Sequence, residues 1–246
     1  MRVVLLGTTG FYCNDHRQTA CLMLPEVGVV LDAGTGMYRV EEFLATERLD
    51  VFLTHAHLDH VVGLTTLLGI FGLEGASRVT VHGSRETLAA VREHLLAPAL
   101  FPIMPAFGWE ELHTPCELPE GGRLTTFPLA HPGGSLGLRL DWPGHSLAYV
   151  TDTTAHVGAE YIAAIRGVDL LVHEAYFGDD QAELAQRTGH SCVSRVAEVA
   201  VAAGVKRLVL VHIDPRRGPE EPLDLATARA IFPALEVGAD RMEIEF

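Results

Sequence analysis

One lysine, Lys206, stands among 246 residues. That scarcity argues against Schiff-base chemistry, and the chain has no GxxxxGK[ST] phosphate loop. Bases are few altogether, 18 against 32 acids, for a formal net charge of −14. A long polyanion is held through many Lys and Arg contacts, so nucleic acid is not an expected partner. A small anion is not excluded, because bound metal ions invert the local potential. Cysteine is sparse too: Cys13, Cys21, Cys116 and Cys192 are scattered, with no CxxC pair. The first apolar residues stop at Gly7, too soon for a signal segment. Together these point to a reducing, cytoplasmic setting. No apolar run approaches the roughly 20 residues that span a bilayer, so no membrane is expected. Linkers, charge blocks and internal repeats are also missing, which leaves residues 1–246 as a single expected domain.

What is present is a core-forming chain, 48% hydrophobic. Short apolar runs between turn residues predict strands over 2–6, 19–24, 28–31, 51–53, 123–129, 135–140, 147–151, 169–173, 207–211 and 242–246. Helices are predicted over 61–71, from an N-cap at Ser84 to about Ala97, and over 159–165, 191–203 and 223–231. Strands alternating with helices indicate a layered α/β architecture. Residues 98–109 form an apolar, proline-broken stretch. It suits buried packing, a pocket wall or a subunit interface, so a homodimer stays open.

The densest chemistry is Thr54-His55-Ala56-His57-Leu58-Asp59-His60, directly after the apolar Val51-Phe52-Leu53. Alternate side chains of an extended segment share a face, so His55 and His57 can serve one metal ion. Asp59 and His60 open a helix and face the other way, toward a second ion. Imidazole nitrogen and carboxylate oxygen suit zinc and its first-row neighbours. Three more ligand-type residues each follow an apolar strand: His131, Asp152 and His212. Open α/β sheets place their sites at such strand ends. The turn Asp32-Ala33-Gly34-Thr35-Gly36 reads first as a strand-to-helix connection, with support of the ligands by Asp32 from behind as the alternative.

The pattern HxHxDH with the later single ligands resembles the metallo-β-lactamase superfamily. The resemblance implies an αββα sandwich with a dinuclear site at the rim of two sheets. It implies one ion on His55, His57 and His131, another on Asp59, His60 and His212, and Asp152 between them. Two divalent ions follow as cofactors, with zinc expected and manganese the alternative. His173-Glu174-Ala175 and Gly189-His190-Ser191 are similar to the second catalytic pair of the ribonuclease Z and small phosphodiesterase branch. The last residues of the chain, Gly238 to Ile244, are similar to the C-terminus of a cyclic phosphodiesterase of that branch. The cysteine-rich structural zinc site of that phosphodiesterase is absent here.

The implied activity is hydrolysis of a small or cyclic nucleotide-like phosphodiester. Two ions lower the pKa of a bridging water and clamp a phosphoryl oxygen, so a metal-bound hydroxide is the expected nucleophile. Asp59 is expected to steer it as well as to ligate. Glu174 is expected to orient His190 and favour its imidazolium, which meets charge on the phosphate. The alternatives are a ribonuclease Z-type endonuclease and a carbon-ester, thioester or lactone hydrolase, since the ligand set alone does not choose. Ribonuclease Z usually inserts a tRNA-gripping arm between the third histidine and the bridging aspartate. Here His131 and Asp152 are only 21 positions apart, which disfavours tRNA.

Overall fold

Runs such as Leu208-Val209-Leu210-Val211 have no polar face, so a strand built from them must be covered on both sides. In a computed structural model, which describes residues 1–218 and 223–246, such strands lie in two mixed sheets. Each sheet belongs to one of two compact units.

The first unit comprises residues 1–113 and 240–245. Its strands are β1 (Arg2–Gly7), β2 (Cys21–Leu24), β3 (Val29–Leu31), β4 (Leu49–Phe52), β5 (Val79–Gly83) and β6 (Gly108–Glu111), with the C-terminal strand Glu243–Glu245 beside β1. The C-terminal strand, β1, β2 and β3 pair antiparallel, and β3 to β6 pair parallel. Val4, Leu6, Met23, Val51 and Val81 form one core with Met37, Leu64 and Leu67.

The second unit comprises residues 114–239 and Phe246. Its strands are β7 (Cys116–Leu118), β8 (Gly122–Leu129), β9 (Ser135–Trp142), β10 (His145–Val150), β11 (Leu170–Glu174), β12 (Arg207–Val211) and β13 (Leu235–Val237), in that spatial order. Strands β7 to β10 pair antiparallel, and β10 to β13 pair parallel. The helix Val193–Ala203 lays Val193, Val196, Ala197 and Ala200 on Leu171, Leu208 and Leu210. Each valine so buried is worth about 1.5–3 kcal/mol. Gly204, at φ +64, closes this helix in the left-handed conformation that glycine takes without strain.

Several elements depart from the sequence expectation. The helix predicted over 61–71 begins earlier, at Leu58, and continues through a 3-10 turn into Leu67–Gly75. The whole stretch Leu58–Arg78 is long and apolar enough to cross a bilayer by length and composition, contrary to the expectation that none would be. Core helices of soluble proteins share that length and composition, and this stretch carries Asp59, His60 and a break at Gly72 (φ +67). Ser84 does cap the next helix, its Oγ accepting from the Thr87 N–H at 3.1 Å. The helix predicted over 159–165 is one 3-10 turn, Glu160–Ile162. Strands β5, β6, β7 and β13 and the helix Ala182–Thr188 have no counterpart in the sequence reading. Gly108-Trp109-Glu110-Glu111, for example, is an edge strand with little burial and no alternation to betray it. The stretch 98–109 divides: Phe107 is buried, whereas Leu100, Ile103 and Met104 are exposed.

Candidate metal centre

In the first unit the site is built behind β4. The buried Asp32, one residue past β3 at φ +57, accepts four hydrogen-bond contacts. The Thr54 N–H lies 2.8 Å from Oδ1, the Thr54 hydroxyl 3.0 Å from Oδ1 and 2.9 Å from Oδ2, and His60 Nδ1 2.7 Å from Oδ2. The turn holding Asp32 is locked onto the ligand segment by the Ala33 N–H to the His60 carbonyl (2.7 Å) and the Gly63 N–H to the Ala33 carbonyl (2.7 Å). A Cβ on Gly63 would collide with the Gly34 carbonyl, so this approach needs glycine.

These bonds decide the imidazole tautomers. A carboxylate only accepts, so His60 donates through Nδ1 and keeps its lone pair on Nε2. The Thr54 hydroxyl has one proton, which goes to Asp32. It must therefore accept from His55 Nδ1, 3.0 Å away, and His55 also carries its lone pair on Nε2. His60 Nε2 lies 3.5 Å from Asp59 Oδ2. The His55 ring is 4.4 Å from the exposed ring of His57 and 4.3 Å from that of His60. Asp59 Oδ2 also accepts the Phe11 N–H at 2.7 Å.

The second unit collects residues far apart in sequence. His131 follows β8, Asp152 lies two residues past β10 at φ +48, and His212 directly follows β12 at φ +55. Left-handed backbone at non-glycine residues costs about 1 kcal/mol or more each and gathers at functional positions. His131 Nδ1 donates to the Gly189 carbonyl at 3.0 Å, which again leaves the lone pair on Nε2. That atom is 3.3 Å from Asp152 Oδ2, and His212 Nε2 is 3.2 Å from Asp152 Oδ1. One carboxylate thus faces an imidazole nitrogen with each oxygen. At His131 the imidazole lone pair faces the carboxylate, and facing lone pairs repel unless a cation or proton lies between them, so this donor set fits a divalent ion.

Beside it, Glu174 ends β11 fully buried. It accepts the Thr153 and Tyr176 N–H groups and His190 Nδ1, each at 3.1 Å. Burial pushes this carboxyl up, but the charge and hydrogen bond of His190 prevail and the net direction is down. The His190 ring lies nearly parallel to those of Tyr176 (5.1 Å) and His212 (5.4 Å). One nitrogen each of His190 and His212 and one oxygen of Asp152 lie within 4.8 Å of one another. His173 points the other way: its Nδ1 donates to the Glu174 carbonyl (2.7 Å) and its Nε2 accepts from the buried Tyr161 hydroxyl (2.9 Å).

Each unit therefore brings together its share of the expected residues: His55, His57, Asp59 and His60 in one, and His131, Asp152, Glu174, His190 and His212 in the other. Thr54, Phe11 and Tyr176 were not foreseen. Thr54 had a signal, a hydroxyl directly before the first candidate ligand, His55. The other two act through backbone or ring placement, which leaves no mark in sequence.

The model of the β-lactamase superfamily domain matches residues 28–213. A ribonuclease Z of Gloeothece citriformis is 31% identical, over the whole of this chain and 96% of its own length. That alignment runs over 307 positions, 61 more than the 246 residues of this chain. Among solved structures, the metallo-β-lactamase fold protein YhfI from Bacillus subtilis superposes with a TM-score of 0.84 at 18% identity, covering 99% of both chains. The short form of human tRNase Z superposes with a TM-score of 0.77 at 22% identity, covering 100% of this chain and 99% of that one.

Proposed function

The chain belongs to the metallo-β-lactamase superfamily, in its ribonuclease Z branch, and from that premise we propose that this metal-dependent hydrolase cleaves phosphodiesters. Divalent ions, zinc or manganese, would be held by His55, His57, Asp59 and His60 and by His131, Asp152 and His212, the donor types that such ions prefer. The observation that carries this reading is the tautomer set. His55, His60 and His131 each commit Nδ1 as a donor to a neighbour behind them, which reserves Nε2 for a ligand.

Bound ions supply Lewis-acid activation of water and of a phosphoryl oxygen. Asp59, fixed by the Phe11 N–H, orients the attacking water. Glu174 holds His190 by Nδ1 and favours its positive charge, leaving Nε2 for a substrate oxygen. In the reaction the water oxygen bonds to phosphorus, the ester P–O bond breaks, and a proton passes to the leaving oxygen.

The substrate is a choice between two phosphodiester classes. The relatives' names favour an RNA-cleaving reading over the small diester, and they stand against the expectation that nucleic acid is no partner. One structural observation supports the small diester. The interval from His131 to Asp152 holds only the hairpin of β9 and β10, turned at Gly144. No gripping arm rises there, and 61 aligned positions have no residue in this chain. A net charge of −14 further opposes a long polyanion.

The test is kcat/KM on one metal-replete preparation, for a small diester and a tRNA precursor, at low and moderate salt. Small diesters are expected to turn over with little salt dependence, and the precursor to be cut poorly. Efficient, site-specific removal of the 3′ trailer, with diesters as poor substrates, establishes the ribonuclease Z activity instead.

A further inference from the structure

Phe11 is the least expected residue of the first unit. The residue is 74% exposed, although its side chain is large and apolar. Its backbone sits at φ +64, a left-handed conformation that non-glycine residues adopt at a cost of roughly 1 kcal/mol or more. In that conformation its N–H reaches Asp59 Oδ2 at 2.7 Å. Covalent geometry then keeps the whole ring within about 9 Å of that oxygen. Tyr12, 44% exposed, sets its ring edge-to-face on Phe11 with centroids 5.6 Å apart.

The loop that carries these rings is anchored from below. Thr8 Oγ1 donates to Asp240 Oδ1 at 2.7 Å and accepts from buried Arg17 at 2.6 Å. Asp240 Oδ2 takes the Gln18 N–H at 2.7 Å and the Arg39 guanidinium at 2.6 Å. Asn14 Oδ1 closes the tip on the His16 and Arg17 N–H groups, each at 2.8 Å. A strained, well-anchored loop thus keeps two aromatic rings at the surface near Asp59.

We propose that Phe11, steadied by Tyr12, is a platform on which the base of a nucleotide substrate stacks. The proposal rests on the phosphodiester reading and deepens it to diesters that carry a nucleobase. Any base offers a π-face, so stacking on an aromatic ring adds affinity without demanding a sequence.

The test is calorimetric binding of adenosine 5′-monophosphate and ribose 5-phosphate to metal-replete protein. The nucleotide is expected to bind about ten-fold more tightly or better, the usual worth of one stacked base. Phe11→Gly keeps the left-handed backbone without strain, and is expected to erase that margin while ribose 5-phosphate binds as before. Phe11→Trp is expected to keep the margin. Equal affinity of the wild type for both ligands, or an unchanged margin in Phe11→Gly, overturns the platform. Turnover of thymidine 5′-p-nitrophenyl phosphate on the same preparation judges the phosphodiester reading separately. Turnover without a margin leaves that reading standing and removes the platform. A Phe11-dependent margin with turnover of neither this diester nor a tRNA precursor keeps Phe11 as a nucleotide-binding platform and removes the phosphodiester reading.

Discussion

The two units share one plan and fill it in opposite ways. Each has a seven-stranded sheet whose first four strands pair antiparallel and whose last four pair parallel. Each puts a buried aspartate in left-handed backbone just past the first parallel strand: Asp32 after β3 and Asp152 after β10. In the first unit that aspartate stands behind the histidines and sets their tautomers. In the second it faces two imidazole nitrogens with its own oxygens. The first unit takes its histidines from one six-residue segment, while the second gathers residues from the ends of β8, β10, β11 and β12. The same backbone position therefore supports two chemical tasks, and the partners around it decide which.

Replacing the two aspartates breaks the comparison most sharply. Asp152→Ala removes a proposed ligand, and is expected to lower metal content and reduce turnover to background. Elemental analysis with an activity assay checks both, and full metal occupancy would place Asp152 outside the ligand set. His190→Ala comes next. It is expected to keep the metal and lose kcat by roughly 10²–10⁴-fold, as removal of an acid–base or charge-stabilising group does. Unchanged turnover would remove His190 and Glu174 from the chemistry.

Asp32→Asn is expected to be milder than Asp152→Ala. It leaves every proposed first-unit ligand in place but weakens the bonds that orient His55 and His60, and is expected to cost about 10–100-fold in metal affinity. A chelator competition titration reads that loss. An effect as large as that of Asp152→Ala would mean that the two aspartates share one task.

The smallest effect is expected at His173, which shares β11 with Glu174 but faces the core. Burial pushes its pKa below the ordinary 6.5. The unfolded chain therefore binds more protons there, so this contribution to stability is complete above pH ~6.5 and is lost as the pH falls below it. His173→Leu alone strands the buried Tyr161 hydroxyl, at about 1–3 kcal/mol. His173→Leu with Tyr161→Phe is expected to recover much of that loss and to flatten the acid side of the stability profile. Thermal melts from pH 5 to 8 read both, and an equal loss in the single and double variants would refute the pairing.

The legibility of the site follows the same division. His55, His57, Asp59 and His60 stood out because four ligand-type residues crowd one segment. His131, Asp152 and His212 were visible only as polar residues after apolar strands, a weaker signal that the family resemblance strengthened. The Glu174–His190 contact spans 16 positions and was named through that resemblance alone. Strand β6 escaped because edge strands need no hydrophobic alternation, and β7 and β13 are only three residues long. The likeness between the two sheets escaped as well, since it lies in strand direction and not in residue identity.

The amino-acid order by itself determined the strand and helix periodicities, the cap at Ser84, the stop at Gly204 and the ligand-rich turn at residues 54–60. Each of these rests on interactions among near neighbours. Only the tertiary structure decided which imidazole nitrogen His55, His60 and His131 present, since that depends on Asp32 and Gly189, far away in the chain. It also decided that Glu174 carries three donors, and that Phe11 stands in water with its N–H on Asp59. These are long-range hydrogen bonds, and a bond between distant residues exists only once the backbone has closed the distance between them.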